Sequence, residues 1–236
     1  MPLPRICRLF LFDLDGTLVD SREDIVRAVN AAMMKMGLPA ISQADVIRFV
    51  GDGIEPLIQR VLRTVTGTEP AADRVSAGVN LMLEEYRLHL IGSTCLYPGV
   101  RETLDALQQA KLGLVSNKQE ELCRRILAAF GLSDRFAVVL GGDSLSRRKP
   151  DPAPILSAMS FCGISPAETV MVGDSPADIL SGKAAGVFTC GISSGFRTRE
   201  ELQAAGSDLI VDHIADLLRH FSPPAADRDP AQETTS

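Results

Sequence analysis

The chain has 236 residues, 45% of them hydrophobic, enough for one large domain or for one domain with an insertion. Its 24 Lys and Arg against 30 Asp and Glu give a formal charge of −6, which argues against nucleic acid or an anionic membrane as the main partner. No apolar run approaches the ~20 residues of a membrane helix, Met1-Pro2-Leu3-Pro4-Arg5 lacks a signal-peptide pattern, and Cys7, Cys95, Cys123, Cys162 and Cys190 lack zinc or redox spacing, so a soluble cytoplasmic protein is expected.

The first element is the run Leu9-Phe10-Leu11-Phe12. Apolar residues without polar alternation read as a strand buried on both faces of a parallel sheet. The run stops at Asp13 and the chain turns at Gly16. Asp13 and Asp15 are two apart, so in extended geometry their side chains point the same way. Two carboxylates there repel each other and are costly to desolvate, and a hard cation such as magnesium relieves both problems. A strand ending in a solvated acidic turn is the alternative at this point.

Ser21-Arg22-Glu23-Asp24 has the form of a capping box. Ile25, Val29, Ala32, Met33 and Met36 follow at helical spacing, and Gly37 with Pro39 is a stop signal. A second box, Ser42 to Asp45, opens a short helix that Gly51-Asp52-Gly53 interrupts. Apolar stripes over Ile54–Val65 and Val75–Leu90 predict two more helices. Residues 21–91 therefore read as all-helical.

From Leu112 the pattern changes. Short apolar runs at Leu112–Val115, Ala137–Leu140, Val170–Val172, Val187–Cys190 and Leu209–Val211 alternate with amphipathic segments. That alternation predicts a parallel sheet with right-handed crossovers. The expected architecture is α/β: a Rossmann-like parallel-sheet core from residues 1–20 and 92–221, with an all-helical cap, 21–91, inserted after the first strand. Residues 222–236 are polar and proline-containing, and are expected to be a disordered tail.

Ligands of open parallel sheets gather at the carboxyl ends of the strands, and polar residues stand at three more of them. Ser116-Asn117-Lys118 follows one strand, offering a hydroxyl and helix-start N–H groups to a phosphate oxygen. An ordinary helix cap is the alternative reading. Lys149 lies in Arg147-Arg148-Lys149-Pro150, where it could neutralise developing charge or belong to a solvated basic turn. Val172-Gly173-Asp174-Ser175-Pro176 repeats the pattern of a buried strand ending in an acid, with Ser175 and Pro176 as helix N-cap and N1.

These four segments, in this order, resemble the four motifs of the haloacid dehalogenase superfamily. The resemblance implies that Asp13 is a nucleophile forming an aspartyl-phosphate and that Asp15 is the general acid/base. Thr17, Ser116, Asn117 and Lys149 would hold the phosphoryl group. Magnesium would be held by Asp13, Asp174 and, through its backbone carbonyl, Asp15. Asp178 and Ser175 would brace the metal ligands. Arg147 and Arg148 are left to solvent, and His89, His213 and His220 have no assigned role.

Phe49-Val50-Gly51-Asp52-Gly53-Ile54 and Gly141-Gly142-Asp143-Ser144-Leu145 resemble the phosphoglycolate phosphatase branch in particular. That implies 2-phosphoglycolate as substrate, with Gly51, Asp52 and Gly53 facing its carboxylate, in a monomer or homodimer. One departure is the connection Leu107–Leu112, a few residues shorter than usual and without its glycine. Other small phosphate esters (sugar phosphates, pyrophosphate, nucleotides) or a phosphomutase activity are alternatives. A phosphonatase would need a cap lysine, and Lys35 is the sole lysine there. A phosphate-sensing module without turnover would have no use for Asp15.

Overall fold

Leu9–Phe12 forms the central strand of the molecule, and all four side chains are fully buried. The computed structural model describes residues 5–224. In it, β1 (Arg5–Ile6) precedes this strand, which is β2 (Leu9–Phe12). The chain then turns through Asp13–Leu18 and passes along β3 (Val19–Asp20) into four helices. These are α1 (Arg22–Lys35), α2 (Gln43–Phe49), α3 (Ile54–Thr66) and α4 (Ala72–Leu88). Three of them bury a stripe: Ile25, Val29, Ala32 and Met33 from α1; Leu57, Ile58, Val61 and Leu62 from α3; Val75, Met82, Leu83 and Tyr86 from α4; the short α2 buries Val46 alone. The chain returns along β4 (Cys95–Leu96), which pairs antiparallel with β3, Val19 opposite Leu96 and Asp20 opposite Cys95.

Strands and helices alternate from there: α5 (Val100–Ala106), β5 (Lys111–Val115), α6 (Glu120–Ala129), β6 (Val138–Leu140), α7 (Ala153–Cys162) and β7 (Thr169–Gly173). Then come α8 (Pro176–Ala184), β8 (Phe188–Ile192), α9 (Arg199–Ala204), β9 (Leu209–Val211) and β10 (Phe221–Ser222). The main sheet is six-stranded and parallel, in the order β6-β5-β2-β7-β8-β9. Side-chain period two divides β2 between the faces. Phe10 and Phe12 pack with Leu104, Leu122 and Ile126, whereas Leu9 and Leu11 pack with Ile155, Ala158 and Met159. Because β2 is flanked by β5 and β7, the connections diverge at its carboxyl end, where a crevice opens.

The expected parallel sheet is present, and three local expectations are corrected. Ser21 does not cap α1; its hydroxyl donates to Asp15 Oδ1 at 2.5 Å, a charged acceptor that outcompetes a backbone amide. Asp24, the far end of that box, is buried and accepts from Ser93 N, Thr94 N and Thr94 Oγ1 at 2.6–3.0 Å, fastening α1 to the returning chain. The short connection after α5 needs no glycine. Turns from Asp105 to Gln108 and from Leu107 to Ala110 deliver Lys111 N to Arg8 O at 2.9 Å, so β5 starts one residue early. Ser222 belongs to β10, paired in parallel with β1, so the expected tail begins too soon; its residues 225–236 lie outside the described part. No described helix is long and apolar enough to cross a membrane.

Candidate active site

Sheet register sets the site. Phe12 lies opposite Leu114 of β5 and Val172 of β7, so the residues that follow these strands emerge side by side: Asp13, Ser116 and Asp174. Oxygens of Asp13, Asp174 and Asp178 lie within 4.8 Å of one another. The turn after β2 closes tightly on this cluster because Gly16 adopts φ +85°, and a Cβ there would overlap the Asp174 carboxylate. Gly195 approaches Asp174 as closely, and a Cβ there would overlap both its side chain and the Gly16 carbonyl oxygen. Asp174 is held between the two loops, accepting from Phe196 N at 2.7 Å and from Thr17 Oγ1 at 3.2 Å. Thr17, expected at the phosphoryl group, is buried with its hydroxyl on Asp174 instead, because a buried hydroxyl takes the nearest carboxylate.

Lys149 is buried behind Asp13. Its Nζ donates to Val115 O at 2.6 Å and to Asp178 Oδ1 at 2.5 Å, and lies 3.0 Å from Asp13 Oδ1. Burial disfavours the ammonium, yet Asp13 and Asp178 outweigh it and hold the lysine more firmly protonated than usual. Asp178 is anchored through its other oxygen by Ser175 N at 3.0 Å and Ser175 Oγ at 2.7 Å, at the start of α8.

The Asp13 carboxyl is pushed up to about 6 by burial, with Lys149 opposing and Asp178 and Asp15 adding to the rise. Burial and the same neighbours, Asp13 and Asp178, push Asp174 well above the carboxylate range against donation from Phe196 N and Thr17. Two buried carboxylates, Asp174 and Asp178, and the partly exposed Asp13 face a single lysine, Lys149, among the described residues. The donors are all oxygen, so the cluster fits a hard divalent cation. Asp178 is fully buried between Lys149 and Ser175 and does not reach the cavity, whereas Asp13 and Asp174 line it and are the carboxylates placed to hold such an ion.

Asp15 points elsewhere. Its carboxylate is 12% exposed and is held by Ser21 Oγ and by Lys118 Nζ, at 2.9 Å to Oδ1 and 2.8 Å to Oδ2. Lys118 also donates to Tyr86 Oη of α4 at 2.8 Å and lies 4.5 Å from that ring's centre. Burial disfavours the charge on Lys118, but Asp15 and Tyr86 prevail and raise its pKa. Burial pushes the Tyr86 hydroxyl up to about 12. Neither Lys118 nor Tyr86 is among the residues singled out from sequence for the site. Lys118 was within reach, as the neighbour of Asn117; Tyr86 was hidden in an apolar stripe, its hydroxyl the sole signal.

Facing the cluster is a cavity of about 90 Å³ between the sheet end and the helices, with room for a handful of non-hydrogen atoms. Asp13, Asp15, Ser116 and Lys118 line one side; Ile25, Leu57, Met82, Leu83 and Tyr86 line the other. The segment before α3 contributes Gly51 and Gly53. Asp52, expected beside them, turns away to pair with Arg60 at 2.5 Å, because the guanidinium is the nearest counter-charge. Asn117 is also redirected from its expected phosphate contact. Its Nδ2 donates to Gly51 O at 2.8 Å and Lys149 O at 2.9 Å, tying helical segment to sheet.

Arg197, overlooked in the sequence, reinforces that tie. Its Nη1 donates to Ile47 O at 3.0 Å, and its Nη2 donates to Arg48 O at 3.0 Å and to Val50 O. Arg148, expected in solvent, is half-buried against Gly53. Lys35 sits in surface ion pairs with Glu84 and Glu85, away from the cavity.

Residues 10–192 match the sequence profile of the haloacid dehalogenase-like hydrolases. A phosphoglycolate phosphatase of Chromobacterium violaceum is 38% identical over 208 residues, covering 87% of this chain and 92% of that protein. One of Vibrio vulnificus is 37% identical over 217 residues, covering 89% and 94%. Among solved structures, a predicted phosphoglycolate phosphatase from Haemophilus somnus superposes with a TM-score of 0.86 at 33% identity, covering 92% of this chain and 99% of that one.

Proposed function

The chain belongs to the haloacid dehalogenase-like hydrolase family, and from that premise we propose that it hydrolyses 2-phosphoglycolate to glycolate and phosphate through a phosphoenzyme on Asp13. The observation that carries the reading is the division between the two aspartates. Asp13 sits in the carboxylate cluster with its Oδ1 3.0 Å from the Lys149 ammonium, whereas Asp15 stands over the cavity on Ser21 and Lys118.

In the first half-reaction an Asp13 oxygen bonds to phosphorus as the bond to the glycolate oxygen breaks, and Asp15 delivers a proton to that oxygen. In the second, Asp15 takes a proton from water as the water oxygen bonds to phosphorus and the bond to Asp13 breaks. Lys149, fixed by Val115 O and Asp178, keeps a positive charge beside Asp13 throughout. The Ser116 hydroxyl lines the cavity within reach of a phosphoryl oxygen. Magnesium, held by Asp13, Asp174 and the Asp15 carbonyl, would supply charge opposite the phosphoryl oxygens. Helices α1–α4 act as a cap whose apolar side chains exclude water from the reaction.

The small cavity favours a two-carbon leaving group over a nucleotide. The names carried by relatives of 33–38% identity support the same substrate. The test is kcat/KM over a panel of phosphate esters with magnesium present. The highest value is expected for 2-phosphoglycolate. A higher value for a sugar phosphate or nucleotide would overturn the substrate, and no phosphate release from any ester would overturn the chemistry.

A further inference from the structure

Two cationic side chains line the cavity, Lys118 and Arg197. The Arg197 guanidinium is engaged by three backbone carbonyls of residues 47–50, and the four helices contribute no charged side chain to the lining. An anionic group on the substrate other than the phosphoryl therefore has one charged partner to turn to. Lys118 is also in the right place. Its Nζ lies 2.8–2.9 Å from both oxygens of Asp15, the residue that protonates the leaving oxygen in the reading above, on which this inference rests. A leaving group whose ester oxygen meets Asp15 extends its next atoms toward Lys118 and Tyr86.

Tyr86 strengthens the point. Its hydroxyl is buried and accepts from Lys118, and its own hydrogen has no acceptor among the described residues. An ammonium and an undirected O–H donor on the apolar side of the cavity form a seat for a carboxylate. We propose that Lys118 and Tyr86 are the specificity-determining subsite for a carboxylate carried by the leaving group. Lys118 turns at least one of its protons from Asp15 to that carboxylate when substrate is present, and Tyr86 donates its own. The substrate class is then a phosphate ester of a short hydroxy acid, with the carboxylate next to the carbon that bears the ester oxygen.

The experiment compares 2-phosphoglycolate with ethyl phosphate, which has a two-carbon leaving group and no carboxylate, in wild type, Lys118→Met and Tyr86→Phe. Wild type should prefer 2-phosphoglycolate. Lys118→Met should lower kcat/KM for 2-phosphoglycolate about 10–150-fold more than for ethyl phosphate, the range for a lost hydrogen bond to a charged group. Tyr86→Phe, which removes one oxygen and keeps the ring, should lower it about 5–10-fold more, chiefly through KM. Competitive inhibition by free glycolate should weaken in both variants.

A wild type without preference refutes the substrate reading and the subsite together. A wild type that prefers 2-phosphoglycolate, with variants that lose equally on both esters, leaves the substrate reading intact and refutes the subsite. In that case Lys118 serves Asp15 alone.

Discussion

Arg197→Ala tests whether the helices are held on the sheet end by main-chain recognition. The Arg197 side chain is 12% exposed and reaches across to Ile47 O, Arg48 O and Val50 O. A hydrogen bond from a charged donor contributes about 1.5–3 kcal/mol. Three such bonds do not add, because they share two nitrogens, and once the surfaces part the carbonyls and guanidinium return to water. A net loss of about 2–3 kcal/mol from the seated arrangement follows, or ~30–150-fold in the balance between seated and lifted helices.

KM for 2-phosphoglycolate should rise by up to that factor, since apparent affinity scales with the population able to enclose substrate. Hydrogen exchange read by mass spectrometry should quicken in residues 47–54 and 116–119 and stay unchanged within α1 and α4. Arg197→Lys, with one nitrogen, should recover only part of the effect. Unchanged exchange together with unchanged KM would refute the reasoning.

Chelation should abolish turnover and added magnesium should restore it; full activity in metal-free buffer would contradict the carboxylate cluster's proposed role. Asp13→Asn should form no phosphoenzyme, whereas Asp15→Asn given p-nitrophenyl phosphate should release a burst of nitrophenol and stall with added phosphate visible by intact mass, its steady state down ~10²–10⁴-fold. Asp24→Asn should destabilise the fold by about 2–3 kcal/mol at neutral pH, seen as a lower Tm, because an amide cannot accept from Ser93 N, Thr94 N and Thr94 Oγ1 together. Burial raises the Asp24 pKa, but the Thr94 and Ser93 donors outweigh it and the net shift is downward. A depressed folded pKa gives stability that is present above the unfolded value and lost as pH falls through the folded one. The Tm gap between wild type and variant should therefore narrow as pH drops below the ordinary value of 3.8.

The strands were legible because a strand covered on both faces has to be apolar throughout, so the first polar residue after Phe12, Val115 or Val172 marks its end. Asp13, Ser116 and Asp174 follow from that rule alone, and parallel register brings them together. Side-chain targets far along the chain were not legible. Thr17 finds Asp174, 157 residues away, and Asn117 finds Gly51, 66 residues away. Each polar group goes to the best partner that folding places nearby, and residue type does not encode that partner. Ser21 had the form of a cap, but a carboxylate lay closer than the amide it was expected to serve. The pairing of β1 with β10 involves two residues on each side, too few for any period to register.

The crossing at β3 and β4 has a consequence for how such a chain can diversify. The helical insert leaves and rejoins the sheet at adjacent points, Val19 beside Leu96 and Asp20 beside Cys95, with Tyr97 N on Leu18 O at 3.0 Å to close the join. Its ends are already together, so a module of another length inserted there adds little loop-closure entropy, about 0.6 kcal/mol per doubling. The sheet's register, and with it the grouping of Asp13, Ser116 and Asp174, does not depend on what the ribbon carries. Helices grafted at this point would change which molecules are admitted while the phosphoryl chemistry beneath stayed constant, so the ribbon works as a socket for exchangeable lids.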